Sequence, residues 1–165
     1  MKNLFFLAMV GFFAFLSCRN DDEGVQRIDQ ILNLYIDSAG QDMLNSKIAG
    51  SYINVQLNDV YGLRDNAPVT FSNKKDADTL NYLEYVAGAE RLTIDSTGDF
   101  KTYESKIALS LTRKINDSTT AVANDTMIIH YSSSPRLFQV TKVWYNDLLQ
   151  FTKVEGQPNI VKIQK

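Results

Sequence analysis

The 165-residue chain contains one cysteine, one histidine and one tryptophan. With Cys18 as its only cysteine, the chain has no intrachain disulfide, so the body must be held by its core alone. One histidine and no second thiol cannot assemble a Cys/His zinc site of usual composition, and no metal site is expected. Positive charge is not in excess: 17 Lys and Arg stand against 19 Asp and Glu, for a formal net charge of −2. Without a basic face or a polybasic run, nucleic acid is not an expected partner, nor is an anionic lipid surface held by charge. The sequence has no Gly-x-Ser-x-Gly elbow, no His-Glu-x-x-His helix and no Gly-rich phosphate loop. No repeat or low-complexity tract appears. These absences point away from an enzyme and from a bound cofactor.

The one long apolar run opens the chain. Met1-Lys2-Asn3 is followed by apolar residues from Leu4 to Leu16, then Ser17 and Cys18. A single positive charge, an apolar stretch of about a dozen residues and a small residue before the cysteine make the layout of a secretory signal peptide over 1–17. The run falls short of the roughly 20 residues of a spanning helix. Phe15-Leu16-Ser17-Cys18 resembles a bacterial lipobox, which implies that Cys18 becomes the lipidated first residue of the mature chain. Stable anchoring needs more than one acyl chain, and lipoproteins of this type meet that need. Arg19-Asn20-Asp21-Asp22-Glu23 resembles the export signal that routes Bacteroidetes lipoproteins to the cell surface, with Asp21, Asp22 and Glu23 as its acids. Residues 18–27 then read as an acidic tether. Removing 1–17 takes away only Lys2, leaving 16 basic residues against 19 acidic ones.

Residues 28–165 read as one all-β domain, sized for an adequate core. Period-two alternation puts Ile53, Val55 and Leu57 on one face, then Ile107, Leu109 and Leu111, then Met127, Ile129 and Tyr131. Leu137 to Tyr145 is rich in β-branched and aromatic residues. Further strands are expected near 68–72, 80–86, 90–95, 148–154 and 159–164. Turn clusters fall at Asp37–Gly40, Asp95–Gly98, Tyr145–Asp147 and Glu155–Pro158. Residues 28–36 fit either a strand, through Leu32, Leu34 and Ile36, or a short helix, through Ile28, Ile31, Leu32 and Tyr35; the strand is favoured. Short strands at this spacing predict an antiparallel β-sandwich of Ig-like or prealbumin-like type, with about eight or nine strands.

"YIDSAGQDMLN" (35–45) and "FQVTKVWYNDLL" (138–149) resemble the opening strand and turn, and the late hairpin, of a large group of uncharacterised Bacteroidetes (Flavobacteria-type) surface lipoproteins. With the signal region these pieces cover under a third of the chain. The resemblance implies a compact β-sandwich on the cell surface and carries no activity with it. Met43 stands where that group more often has Leu, a harmless exchange in a core.

Few side chains invite a chemical role. His130 should point away from the Met127–Tyr131 face, and neither an orienting partner nor a nucleophile is local to it. Asp37, Gln41 and Asp42 around Gly40 offer calcium two carboxylates, but a capped turn explains the same residues. Trp144, Tyr145, Tyr131, Tyr82, Tyr85 and Tyr103 could line a binding face or could be core. Trp144 is the best single ligand contact, because Phe138, Val140 and Trp144 are expected to share a face with Lys142. Asp-Ser or Asp-Thr followed by a small or apolar residue or Thr occurs at Ser38, Thr79, Ser96, Ser118 and Thr126. The triplet resembles the O-glycosylation acceptor of exported Bacteroidetes proteins. That resemblance favours Ser38, Thr79, Ser96 and Ser118, whereas good turn formation explains the same pairs. Loop 114–125, "KINDSTTAVAND", is the longest polar segment expected.

The resulting expectation is an outer-membrane lipoprotein facing the cell exterior, anchored through Cys18 and binding a glycan or protein partner without catalysis. The alternatives are a periplasm-facing accessory subunit that docks by an edge strand, and a hydrolase whose two carboxylates meet only in the fold.

Overall fold

The computed structural model describes residues 25–165. The signal segment 1–17, Cys18, Asp21, Asp22 and Glu23 lie outside the described residues. Twelve strands and no helix are found among the described residues: β1 (Arg27–Asp29), β2 (Leu32–Ser38), β3 (Gln41–Asp42), β4 (Tyr52–Asp59), β5 (Ser72–Lys75), β6 (Asn81–Tyr85), β7 (Leu92–Thr97), β8 (Phe100–Asn116), β9 (Thr119–Ser133), β10 (Leu137–Tyr145), β11 (Leu148–Thr152) and β12 (Asn159–Gln164). They form two sheets. The seven-stranded sheet runs β1-β10-β9-β8-β4, with β11 also on β10 and β7 also on β8; the five-stranded sheet runs β12-β2-β6-β5, with β3 on β2. The all-β sandwich expected from alternation is present, with twelve strands rather than eight or nine. Pairing is antiparallel except at β1–β10 and β12–β2, which are parallel.

The core follows from alternation. Leu32, Leu34 and Ile36 of β2, Leu83 and Tyr85 of β6, and Val161 and Ile163 of β12 cluster with Ile107, Leu109 and Leu111 of β8 and Met127, Ile129 and Tyr131 of β9. Each such aliphatic side chain contributes about 1.5–3 kcal/mol by leaving water. Met43 joins them. The ambiguous segment 28–36 is two strands, one in each sheet, and no helix. Ile28 and Ile31 are exposed while Leu32, Leu34 and Ile36 are buried, so the helical spacing is coincidental and the period of two is real. Arg27, the last residue of the expected tether, already pairs with Leu137.

Three expectations are corrected, each for a reason of register. Ile53 is exposed, because the β4–β8 ladder shifts between Tyr52 and Asn54 and leaves Ile53 as the extra residue. Tyr52 takes the buried place instead. Residues 114–125 are not a loop: β8 and β9 pair almost to their ends, with Asn116 opposite Thr119 around a two-residue turn. Their last pairs extend past the partners of β4 and β10 as a two-stranded arm. Trp144 does not share a face with Phe138 and Val140. The β9–β10 ladder shifts between Val140 and Lys142, so Phe138, Val140, Val143 and Tyr145 are buried and Trp144 turns outward.

Most expected turns are found. Asn146 and Asp147 have φ of 47° and 65° between the paired residues Tyr145 and Leu148. Two consecutive positive φ values make the tight hairpin turn whose twist matches its strands, and Asn and Asp tolerate it.

Candidate functional site

Between its core positions β8 carries Glu104, Lys106, Ala108 and Ser110, all half-buried. The ladder has no shift from Lys101 to Lys114, so these four share the face that points away from the other sheet. Pairing sets their neighbours. His130 lies opposite both Glu104 and Lys142, and Ile128 lies opposite both Lys106 and Trp144. Leu149 of β11 lies beside Trp144. Ala108 faces Asn58 and Thr126, and Ser110 faces Gln56 and Asn124. The outer face of the larger sheet is therefore built from five strands.

One end of this face is a chain of four side chains. Tyr61, just past β4, donates its hydroxyl to Glu104 Oε1. Glu104 Oε2 lies 2.9 Å from His130 Nε2. The His130 and Trp144 rings pack at 4.4 Å between centroids, tilted by 57°. The Tyr61 hydroxyl bond, aided by His130, holds the Glu104 carboxyl below its usual range against the opposing effect of burial. The same carboxylate pushes the Tyr61 phenol up to about 12. Glu104 is the orienting partner that His130 lacks in local sequence. Among the described residues the His130 ring is hydrogen-bonded to Glu104 and to no hydroxyl or thiol. The arrangement fixes the ring against Trp144 and supplies no nucleophile.

At the other end a groove of about 520 Å³ runs over β4 and β8, lined in part by Gln56, Asn58, Asn66, Ser110 and Asn124. Beside these amides and the hydroxyl, the groove is lined by Asp65 and by the apolar Val55, Leu57, Pro68, Val69 and Phe71.

The aromatic residues divide sharply. Tyr85, Tyr131 and Tyr145 are core, and Tyr103 packs against the core. Tyr82 stacks on Tyr35 at 5.2 Å, on the five-stranded sheet. Trp144 is the one of the six that lies on the outer face just described.

The Asp37 loop is committed to structure. Asp37 Oδ1 accepts from the Gly40 amide at 2.9 Å, and Asp42 accepts from the Leu44 and Asn81 amides. Gln41 donates to Ser51 Oγ at 3.0 Å. Turn capping thus accounts for these residues. No group of three or more His, Cys, Asp or Glu placed to hold a metal occurs among the described residues.

Thr79, Ser96 and Ser118 are exposed, at the β5–β6 turn, on β7 and at the tip of the β8–β9 arm. Ser38 is half-buried and donates to the Lys165 carbonyl at 3.1 Å. Thr126 is half-buried in the middle of β9.

Glu104 and Tyr61 are the residues that sequence reasoning missed. The signal for Glu104 is partial: the alternations of 106–112 and 126–131 mark the two strands of a hairpin, but Ile115 is an extra residue between the Asn116–Thr119 and Lys114–Thr120 pairs, so counting back from the Asp117-Ser118 turn alone would put Glu104 opposite Tyr131. Tyr61 carries no such signal, because it reaches Glu104 from a loop.

Acid pH tests the hydrogen-bonded carboxylates. Asp29, Glu104 and Asp125 are all held below their ordinary range. At Asp29 and Asp125 burial opposes this and is outweighed by hydrogen bonds, chiefly from Lys153 and from Asn146 and Lys165 respectively. A depressed carboxyl contributes stability that is whole above the unfolded value, about 4, and is lost as pH falls toward the folded value. Tm should therefore be level from neutral pH to about 5 and fall below about 4. Glu104→Gln should make that acid fall shallower; a steeper fall would contradict the assignment.

Compared with known proteins, the chain matches no family model, no curated protein and no solved structure.

Proposed function

We propose that this chain is an outer-membrane lipoprotein, anchored through Cys18 and facing the cell exterior, that binds a partner without catalysis. The observation that carries the binding role is the outer face of the seven-stranded sheet. The outward side chains of its central strand β8 from Glu104 to Ser110 are half-buried rather than fully wet, and its one tryptophan is held there by the Tyr61–Glu104–His130 chain. The signal-like run and the Asp21–Glu23 acids support the address. No helix among the described residues is long and apolar enough to cross a membrane, and a lipid on Cys18 needs none. O-glycans on the exposed Thr79, Ser96 and Ser118 fit the same address; an intact mass equal to the lipidated polypeptide alone would remove them from the reading, and with them Ser38.

Protease accessibility on intact cells tests the location. The tagged wild type should be cleaved from outside, and the variant with Asp21, Asp22 and Glu23 changed to Ala should be protected. Cys18→Ala should lose the lipid and leave the outer-membrane fraction. If both wild type and triple variant are protected, the chain faces the periplasm. One feature favours that second reading: among the described residues β12 pairs with β2 on one edge and with no strand on the other, an edge with ladder groups to which a partner strand could add.

A further inference from the structure

We infer that the partner is a neutral glycan chain, lying across the outer face of the seven-stranded sheet from Trp144 to the amide groove over β4 and β8. The inference rests on the binding role proposed above and names the ligand class of that same face.

Three observations carry it. The first is charge. Past Lys106 the cross-strand rows are Asn58–Ala108–Thr126 and Gln56–Ser110–Asn124, which hold no ionisable side chain. Lys106 and Lys142 border only the platform end and Asp65 lines the groove, so an anionic chain finds no continuous cationic track, and a neutral one needs none. The second is the donor and acceptor set. The Asn58 amide is committed to the Ala67 amide and the Asp65 carbonyl, but the side-chain amides of Gln56 and Asn124 each carry a donor and an acceptor in one plane, and the Ser110 hydroxyl does both from one atom, which suits the paired hydroxyls of a sugar ring. The third is the platform. Trp144 is half-buried, and its ring is packed by His130, which Glu104 and Tyr61 hold in turn. A fixed indole offers an apolar surface to the C–H face of a sugar at little entropic cost.

Spacing sets the size. Ile128, the partner of Trp144, lies four residues along β9 from Asn124, or roughly 13 Å at about 3.3 Å per residue. Platform and groove are too far apart for one sugar ring and suit several in a row. The roughly 520 Å³ of the groove lies within the usual range of small-ligand sites.

The test uses the full chain in affinity electrophoresis through gels containing mannan, galactan, xylan, dextran, soluble starch or β-glucan, with alginate and heparin as acidic counterparts. Trp144 is the only tryptophan, so its fluorescence reports occupancy of the platform when hexasaccharides of a retarding polymer are titrated. At least one neutral polysaccharide should retard the protein and shift Trp144 emission. Trp144→Ala should weaken retardation about tenfold or more. Asn124→Ala and Gln56→Ala should each weaken it about two- to tenfold while leaving the emission of the free protein unchanged. The inference is overturned by retardation with no neutral polymer of the set, with acidic polymers only, or with all three variants binding like wild type. A negative gel result alongside external cleavage on cells removes the glycan and leaves surface binding standing. A positive gel result with protection on cells removes the surface address and leaves the glycan.

Discussion

Replacing Asp125 by alanine is expected to lower Tm by roughly 6–15 °C, corresponding to about 2–4 kcal/mol. Asp125 sits on β9 where the large sheet meets the end of β12, and it is buried at 7% exposure. Its Oδ2 accepts the Tyr145 hydroxyl at 2.7 Å and the Lys165 ammonium, and its Oδ1 accepts Asn146 Nδ2 at 2.7 Å. The carboxylate thus ties β9, the β10–β11 turn and the end of β12, and through them both sheets. Alanine leaves the buried Tyr145 hydroxyl without an acceptor, which is the costly direction of the change. The loss at Lys165 is smaller, because its side chain is 24% exposed and water screens part of the charge. Tyr145→Phe is the control. It removes the hydroxyl with its need for a partner and should cost only about 0.5–1.5 kcal/mol. The Asp125→Ala variant should also show a shallower acid decline, since one depressed carboxyl has gone. Thermal melts of both variants between pH 3 and 7 check this; an Asp125→Ala melt within about 2 °C of wild type, or less than about 1 kcal/mol, would remove Asp125 as the tie.

Ile129→Ala is expected to cost about 3–4 kcal/mol, whereas Ile53→Ala should stay within about 0.5 kcal/mol of wild type. By sequence the two isoleucines are equivalent, each the start or middle of an alternating apolar triplet. In the fold they are opposites. Ile129 is wholly buried on a central strand, between Ser105 of β8 and Val143 of β10 in the ladder. Truncation there removes three carbons from water-free packing and leaves a cavity that neighbours on both sides cannot close. Ile53 is the extra residue of a bulge and is 49% exposed. Truncating it removes little buried area. Urea unfolding of both variants measures the difference directly. Equal costs would mean that β4 pairs without its bulge.

Much of the fold is legible without coordinates, and the reason is local. Period-two alternation is a property of neighbouring residues, so Ile107–Leu111 of β8 and Met127–Tyr131 of β9 identify themselves as core faces, while Leu32–Ile36 of β2 fits a helical spacing as well. The turns at Asp37 and Asn146 do so for the same reason, since their side chains cap or tolerate their own backbone. Bulges are less legible. One extra residue at Ile53 and one near Thr141 invert the faces that follow or precede them, and nothing in the adjacent residue types marks the site of the shift. The arm of β8 and β9 is hidden for a related reason. Its residues are polar because both faces are wet, and a polar strand reads like a loop until its partner is known.

The amino-acid sequence by itself determined the class: a disulfide-free, all-β body behind a signal-like segment, with no metal-binding or nucleophile motif in its local chemistry. Those properties depend on composition and on periods of a few residues. The tertiary structure alone decided which polar residues meet. Glu104 reaches His130 across a ladder, Tyr61 reaches Glu104 from a loop, and Asp125 meets Lys165 from the far end of the chain. Contacts of that kind depend on register and on the stacking of two sheets, and both are set by the packing of the whole core.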